Sequence, residues 1–125
     1  MVLSLRIVTM LLGALFALQG LFWIVVPERA AAALGMALLD GVALSTQIGD
    51  LSALFLTAGA TILLGARPGH ARLLYVPMGL FGVAAIARTL AWALHGAAFT
   101  GRFIAIELGM AALLLTAARR LQAGR

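Results

Sequence analysis

Four long apolar runs, each closed by a short polar segment, set the pattern of this chain. They cover residues 7–26, 45–66, 73–94 and 103–118. A helix needs about 20 apolar residues to cross a hydrocarbon core of ~30 Å. Three of the runs have that length. The fourth is shorter, and is expected either to extend into 97–101 or to let its flanking arginines reach the interface along their own stems. Residues that end helices separate the runs: Pro27, then Arg67-Pro68-Gly69, then His95-Gly96, then Arg119-Arg120. Pro77 falls in the first turns of the third run, where neighbouring helices can re-satisfy the carbonyl it frees.

Between the first two runs, Pro27 and Glu28 suit the start of a helix. The proline ring pre-sets φ, and a carboxylate is favoured at the positive end of the helix dipole. The pattern predicts a short surface helix over 28–39, too rich in Ala and Leu for a free loop, before a turn at Asp40-Gly41. The predicted fold is therefore all-α: a four-transmembrane-helix bundle with one surface helix, in a single domain over 1–125. No internal repeat or low-complexity segment interrupts it. Arg6 ahead of an apolar run follows the plan of a signal peptide, but the run is too long and no A-x-A site closes it. A retained membrane helix is expected.

Composition agrees with lipid as the solvent. The chain is 64% hydrophobic and 10% charged, against about 45–50% apolar and about 25% charged in an average soluble domain. So small a domain leaves much of its surface exposed, and water would not tolerate that surface here. The absence of cysteine excludes disulfides, thiolate metal sites and cysteine nucleophiles. The net charge is +5, and every basic residue is arginine. These arginines are scattered rather than gathered on one stripe, so no nucleic-acid partner is expected. They do fix an orientation. Arg6, Arg67, Arg72, Arg119, Arg120 and Arg125 share one side, while Arg29 and Arg102 lie on the other. By the positive-inside rule both termini face the cytoplasm.

Three ionisable residues fall inside the runs: Asp50, Arg88 and Glu107. Each costs ~2.5–3.5 kcal/mol at the centre of a membrane helix, so each is expected to face the bundle and be paired. At ~1.5 Å per residue, all three lie roughly 8–10 Å below the non-cytoplasmic surface. Gln19 falls in the same layer. Arg88 presents a planar fork of donors that two carboxylates can share. With all three ionised, the layer would carry one net negative charge. Two roles fit it. It could be polar glue that fixes helix register, or a buried site for a small polar head or a proton.

Thr89, Trp92 and His95 form the expected rim of this layer. Trp23 and Trp92 are placed in an aromatic belt at the outer interface. His70 lies on the opposite side from His95, so the two cannot share a metal or haem. No metal and no cofactor is expected. Gly13, Ala17 and Gly20 in the first run, and Gly49 and Ala53 in the second, are small residues suited to close helix contact. A nucleophile elbow, a P-loop, a dinucleotide fingerprint and an H-E-x-x-H motif are all absent.

Val26-Pro27-Glu28-Arg29, Ala87-Arg88, His95-Gly96 and Glu107-Leu108 ahead of Arg119-Arg120 together resemble a family of short four-helix bacterial membrane proteins, loosely DoxX-like. Members of that family often carry Tyr-Gly-Gly near the start of the second helix. Ile48-Gly49-Asp50 stands there in this chain, so the aspartate is a departure. The resemblance implies the architecture and draws attention to Arg88 and Glu107. It implies no reaction.

The expected function is a non-enzymatic one: binding a lipid-like small molecule, or serving as an accessory subunit of a membrane complex. Two alternatives come from other classes. In an isomerase-like enzyme, Asp50 and Glu107 would act as acid and base on a lipid-like substrate. In a proton or small-ion pathway, several copies would have to assemble. A homo-oligomer or a larger complex is expected in any case, because four short helices enclose little volume. The orientation can be tested directly. A reporter active only in the cytoplasm should work when fused after Arg125 and stay silent when inserted within 97–101. Activity at the second position would overturn the assignment of sides.

Overall fold

The computed structural model describes residues 1–124, and the elements run α1 (Val2–Val25), α2 (Pro27–Ala33), α3 (Gly41–Gly65), a 3-10 turn (Ala71–Leu74), α4 (Tyr75–His95) and α5 (Gly101–Ala123). No strand occurs among the described residues. Four helices are long and apolar enough to cross a membrane, with α4 counted together with the turn before it. The chain is a multi-pass membrane protein, and four crossings put both termini on one side.

The helices outrun the apolar runs that predict them. α1 begins five residues earlier, at Val2, and takes in Arg6. α5 covers 23 residues and carries Arg102, Arg119 and Arg120 within it. Charges at helix ends keep their heads at the interface while the backbone stays helical, so a hydropathy boundary underestimates a helix. The surface helix departs the other way and ends at Ala33 rather than 39. Gly35 adopts φ +70. The Met36 amide donates to the Ala31 carbonyl and the Gly35 amide to Ala32. This glycine-closed pattern satisfies the orphan carbonyls and turns the chain away. The segment after it is held by Gln47, whose side chain accepts from the Leu39 amide at 3.0 Å and donates to the Ala37 carbonyl at 3.0 Å.

Pro77 explains the 3-10 turn. In a continuous α-helix its ring would meet the Leu73 carbonyl four residues back, and it has no amide to offer. The α-helix instead begins at Tyr75. Pro77 then sits in the first turn, where the amide would have been unpaired anyway. At the other end Gly96 adopts φ +67, and its amide donates to Ala91, closing α4 as the His95-Gly96 pair predicts.

Two helix pairs make up the bundle. α1 packs along α3, and α4 along α5. The first pair is very close. A Cβ on Gly59 would stand 2.5 Å from the Ala17 amide nitrogen and 2.7 Å from the Gly13 carbonyl oxygen. Gly20 and Gly13 meet Leu56 and Leu63 in the same way. Gly13, Ala17 and Gly20 therefore act as the spacing predicts, but their partner on α3 is Gly59. Gly49 has nothing within 4 Å of its Cβ position, and Ala53 is exposed.

The pairs join near the termini. Ile62, Leu74, Leu114 and Leu121 lie in the shared core, and Phe16 bridges it, stacked on Phe55 at 5.7 Å and tilted against Phe81 at 4.9 Å. Towards the opposite side, among the described residues, a second cluster joins α1, α2 and α3. There α2 lies over Trp23 through Ala30 and Ala31. Trp23 is fully buried, so the belt position expected for it is not the one it takes. Without Gly59 the first pair cannot close. Gly59→Leu should lower stability by ~3 kcal/mol or more, since even modest overpacking costs ~1–3 kcal/mol. Gly109→Ala, with open space around the Cβ position, should leave stability unchanged or slightly raised. Thermal unfolding of both variants in detergent checks the contrast.

Candidate functional site

Hydrocarbon offers no partner to a polar side chain, and most of those in the spans turn to their own helix. The hydroxyls of Thr9, Thr61, Thr89 and Thr116 donate to the carbonyls of Leu5, Thr57, Ala85 and Ala112, four residues back. Ser52 donates to the Gly49 carbonyl, three residues back. Ionised groups cannot be satisfied so locally, because one carbonyl does not neutralise a charge.

Arg88 and Glu107 meet across the α4–α5 contact. The Arg88 Nε donates to Glu107 Oε1 at 2.7 Å. Both lie on inward-facing stripes. Arg88 follows Phe81 and Ala85 along α4, and Glu107 precedes Leu114, Ala117, Ala118 and Leu121 along α5. Helical spacing thus places both charges on the extension of the core, beyond its last large apolar residue. The guanidinium also lies over the Phe103 ring, 4.8 Å from its centroid. Phe103 is one turn before Glu107, so α5 supplies both the carboxylate and the aromatic face that receive Arg88.

The pair is asymmetric. The Glu107 side chain is 11% exposed and that of Arg88 35%. Glu107 Oε2 is buried without a hydrogen-bond partner. Among the described residues Arg88 makes one hydrogen bond, through Nε, and its two terminal nitrogens make none. An acceptor and two donors thus stand uncommitted around a single short ion pair.

The remaining expected members take other positions. Gln19 is half-buried on α1, on the stripe of Leu12 and Phe16, and bonds neither partner. Asp50 is exposed on α3 and makes no ion pair among the described residues. Counted from the helix ends away from the termini, Glu107 and Gln19 lie six residues in, Arg88 seven and Asp50 nine. At ~1.5 Å per residue that is ~9–10 Å for three of them and ~13 Å for Asp50. α3 begins at Gly41 rather than at 45, which carries Asp50 about one turn deeper than the apolar run implies. At the rim, Trp92 packs on Phe99 at 5.2 Å and is half-exposed. The Thr89 hydroxyl is taken up by Ala85. His95 is exposed at the last position of α4.

Phe103 and Gln47 are the polar-network residues that the sequence argument passes over. The signal for Phe103 was its four-residue spacing from Glu107. The signal for Gln47 was a polar residue in the first turns of a helix that follows an irregular loop. No group of three or more His, Asp or Glu residues that could hold a metal ion occurs among the described residues. Two open grooves flank α4. One, of about 270 Å³, runs between α3 and α4 past Thr57, Ala58, Pro77 and Leu80. The other, of about 260 Å³, runs between α4 and α5 past Ala85, Thr89, Ile104 and Leu108. No protein family, no curated protein and no solved structure matches the chain.

The ion pair's role in stability follows from its asymmetry. Removing Arg88 leaves the buried Glu107 alone in a low-dielectric setting, and breaking a buried pair in this way costs ~3–5 kcal/mol. With Arg88 one-third exposed, Arg88→Leu should fall near the lower end of that range. Asp50→Asn breaks no contact within the chain and should change monomer stability by less than about 0.5 kcal/mol, as surface substitutions do. Equal losses in a thermal unfolding series would show that Asp50 belongs to the same network.

Proposed function

We propose that the protein is a non-enzymatic binder of a lipid-like small molecule, held at Arg88 and Glu107 by its polar head. The observation that carries this reading is the uncommitted hydrogen-bonding capacity at the pair: Glu107 Oε2 is buried with no donor, and Arg88 has terminal donors with no acceptor. A head carrying both a donor and an acceptor, such as a hydroxyl or amide, satisfies both at once. The groove between α4 and α5 supports the reading from the apolar side. Its lining residues Thr89 and Leu108 are the immediate chain neighbours of Arg88 and Glu107. Arg88 and Glu107 do not themselves line it, so a tail laid there runs along the same two helices as the pair rather than against the pair itself.

In this reading the protein resides in a bacterial inner membrane with both termini in the cytoplasm, as the arginine distribution favours. The pair then lies in the leaflet away from the cytoplasm. The likeness to short four-helix, loosely DoxX-like membrane proteins belongs to the same proposal. An isomerase-like mechanism would need two carboxylates around one substrate. Glu107 is buried on α5 and Asp50 is exposed on α3, with no bond tying them, so binding is the reading we build on.

Native mass spectrometry of the purified protein with its retained lipids tests the proposal. The wild type should carry an amphiphile through mild activation. Glu107→Gln should fold with unchanged helicity and lose that adduct, because the amide cannot replace the carboxylate as both ion-pair partner and acceptor. If the adduct persists and only thermal stability changes, the pair is structural and the reading fails.

A further inference from the structure

Asp50 is a carboxylate on the exposed surface of a span, where hydrocarbon would be a costly neighbour. Its position is specific. Ala53, Leu54, Thr57 and Thr61 line the α3 wall of the α3–α4 groove, and they follow Asp50 at three, four, seven and eleven residues. That spacing is one helical stripe, so Asp50 stands at the outer end of the groove. On the opposite wall, the stripe of Leu80 continues through Ala84, Ala87 and Ala91. Arg88 lies at the edge of that stripe, between the groove and the core. The α3–α4 face thus carries an open groove with Leu54, Val76 and Leu80 among its lining residues and small residues at Ala53, Ala84, Ala87 and Ala91, with an anion on one wall and a cation with spare donors on the other.

We propose that a second copy of this chain covers this face, with its Arg88 donating to Asp50. Charge complementarity selects this occupant. Arg88 is the intramembrane cation nearest in depth to Asp50, and its terminal nitrogens make no hydrogen bond within the chain. The two residues differ by about two residues in depth counted from their helix ends, ~3 Å along the helix axis. An arginine side chain spans that offset. Copies inserted in the same sense are related by a two-fold axis along the membrane normal, which sets α3 of each against α4 of the other. The contact is then self-complementary: each Asp50 meets Arg88 of the second copy, and the reverse. Each Arg88 serves Glu107 through Nε and Asp50 of the other copy through a terminal nitrogen, using the guanidinium fork for two carboxylates. The close approach this needs is what alanine-rich helix faces permit. The interface does not depend on amphiphile binding at Glu107.

The cysteine-free sequence makes the test clean. A single cysteine at Ala53→Cys, treated with a short bismaleimide in native membranes, should give a cross-linked dimer. Leu108→Cys, on the α4–α5 groove that faces away, should give none. In detergent, Asp50→Asn should keep its helical circular dichroism and weaken self-association about a hundredfold, the loss of two charge-assisted hydrogen bonds per dimer at about tenfold each. A monomeric wild type, cross-linking at Leu108→Cys instead of Ala53→Cys, or unaltered association of Asp50→Asn would each overturn the proposal. So would a monomer that retains a lipid lost on Asp50→Asn, which would make the groove a lipid site.

Discussion

A helix in hydrocarbon satisfies its backbone internally but cannot satisfy an ionised side chain, and this constraint decides where the charges of the chain come to rest. The hydroxyls obey it by bonding carbonyls of the preceding turn, as Thr9, Thr61, Thr89 and Thr116 do. Of the charges within the spans, Arg88 and Glu107 obey it by pairing between helices, whereas Asp50 stays exposed on α3. Arg88 and Glu107 pair, at 2.7 Å, on the stripes that elsewhere hold Phe81 and Leu114. The pair thus continues the core in a different chemistry. It holds α4 against α5 in the half of the molecule where no large apolar residue is shared by all four helices.

The architecture leaves that half open because its two pairs of helices are built differently. α1 and α3 are drawn together by backbone contact at Gly59, and α2 then lies over Trp23. The shared core is assembled near the termini, where Leu74 of the 3-10 turn fits between α3 and α5. Pro77 matters here at a distance. By preventing a continuous α-helix it sets the turn that presents Leu74 to the core. Leu74 in turn abuts Gly65, where a Cβ would stand 2.6 Å from a Leu74 methyl. The bundle is tight at one end and divided at the other.

Much of this was legible in the sequence, and the reasons differ from element to element. The four spans follow from hydropathy alone, because the bilayer fixes a length that few soluble helices share. The small residues of α1 were readable because Gly and Ala recur at four-residue spacing. Their partner was not, since Gly49 and Gly59 both suit a close contact and only tertiary register chooses between them. The Arg88–Glu107 contact was readable from the cost of an unpaired intramembrane charge. Which carboxylate Arg88 would take was not, because Asp50 stands on the exposed face of α3 and the start of α3 at Gly41 sets it about one turn deeper than the apolar run implies. Trp23 illustrates the same limit. An aromatic near a span end usually marks the interface, but a fold that lays a helix over that end turns the ring into core.

The two pairs therefore divide the labour of the molecule. α1 and α3, sealed by α2 and pinned by Gln47 to the loop that follows it, present no uncommitted buried charge to the shared interior at that end. Among the described residues α4 and α5 have no covering helix, and in the loop between them Phe99 packs on Trp92. Their end carries the short ion pair, the unpaired Glu107 oxygen and the aromatic face of Phe103. Backbones touch most closely between α1 and α3, and of the buried side-chain atoms without a partner Glu107 Oε2 lies at the open end and Arg6 Nε near the termini. The half-satisfied pair at the open end is what the proposed recognition by α4 and α5 rests on, with α1 and α3 as the scaffold beside it.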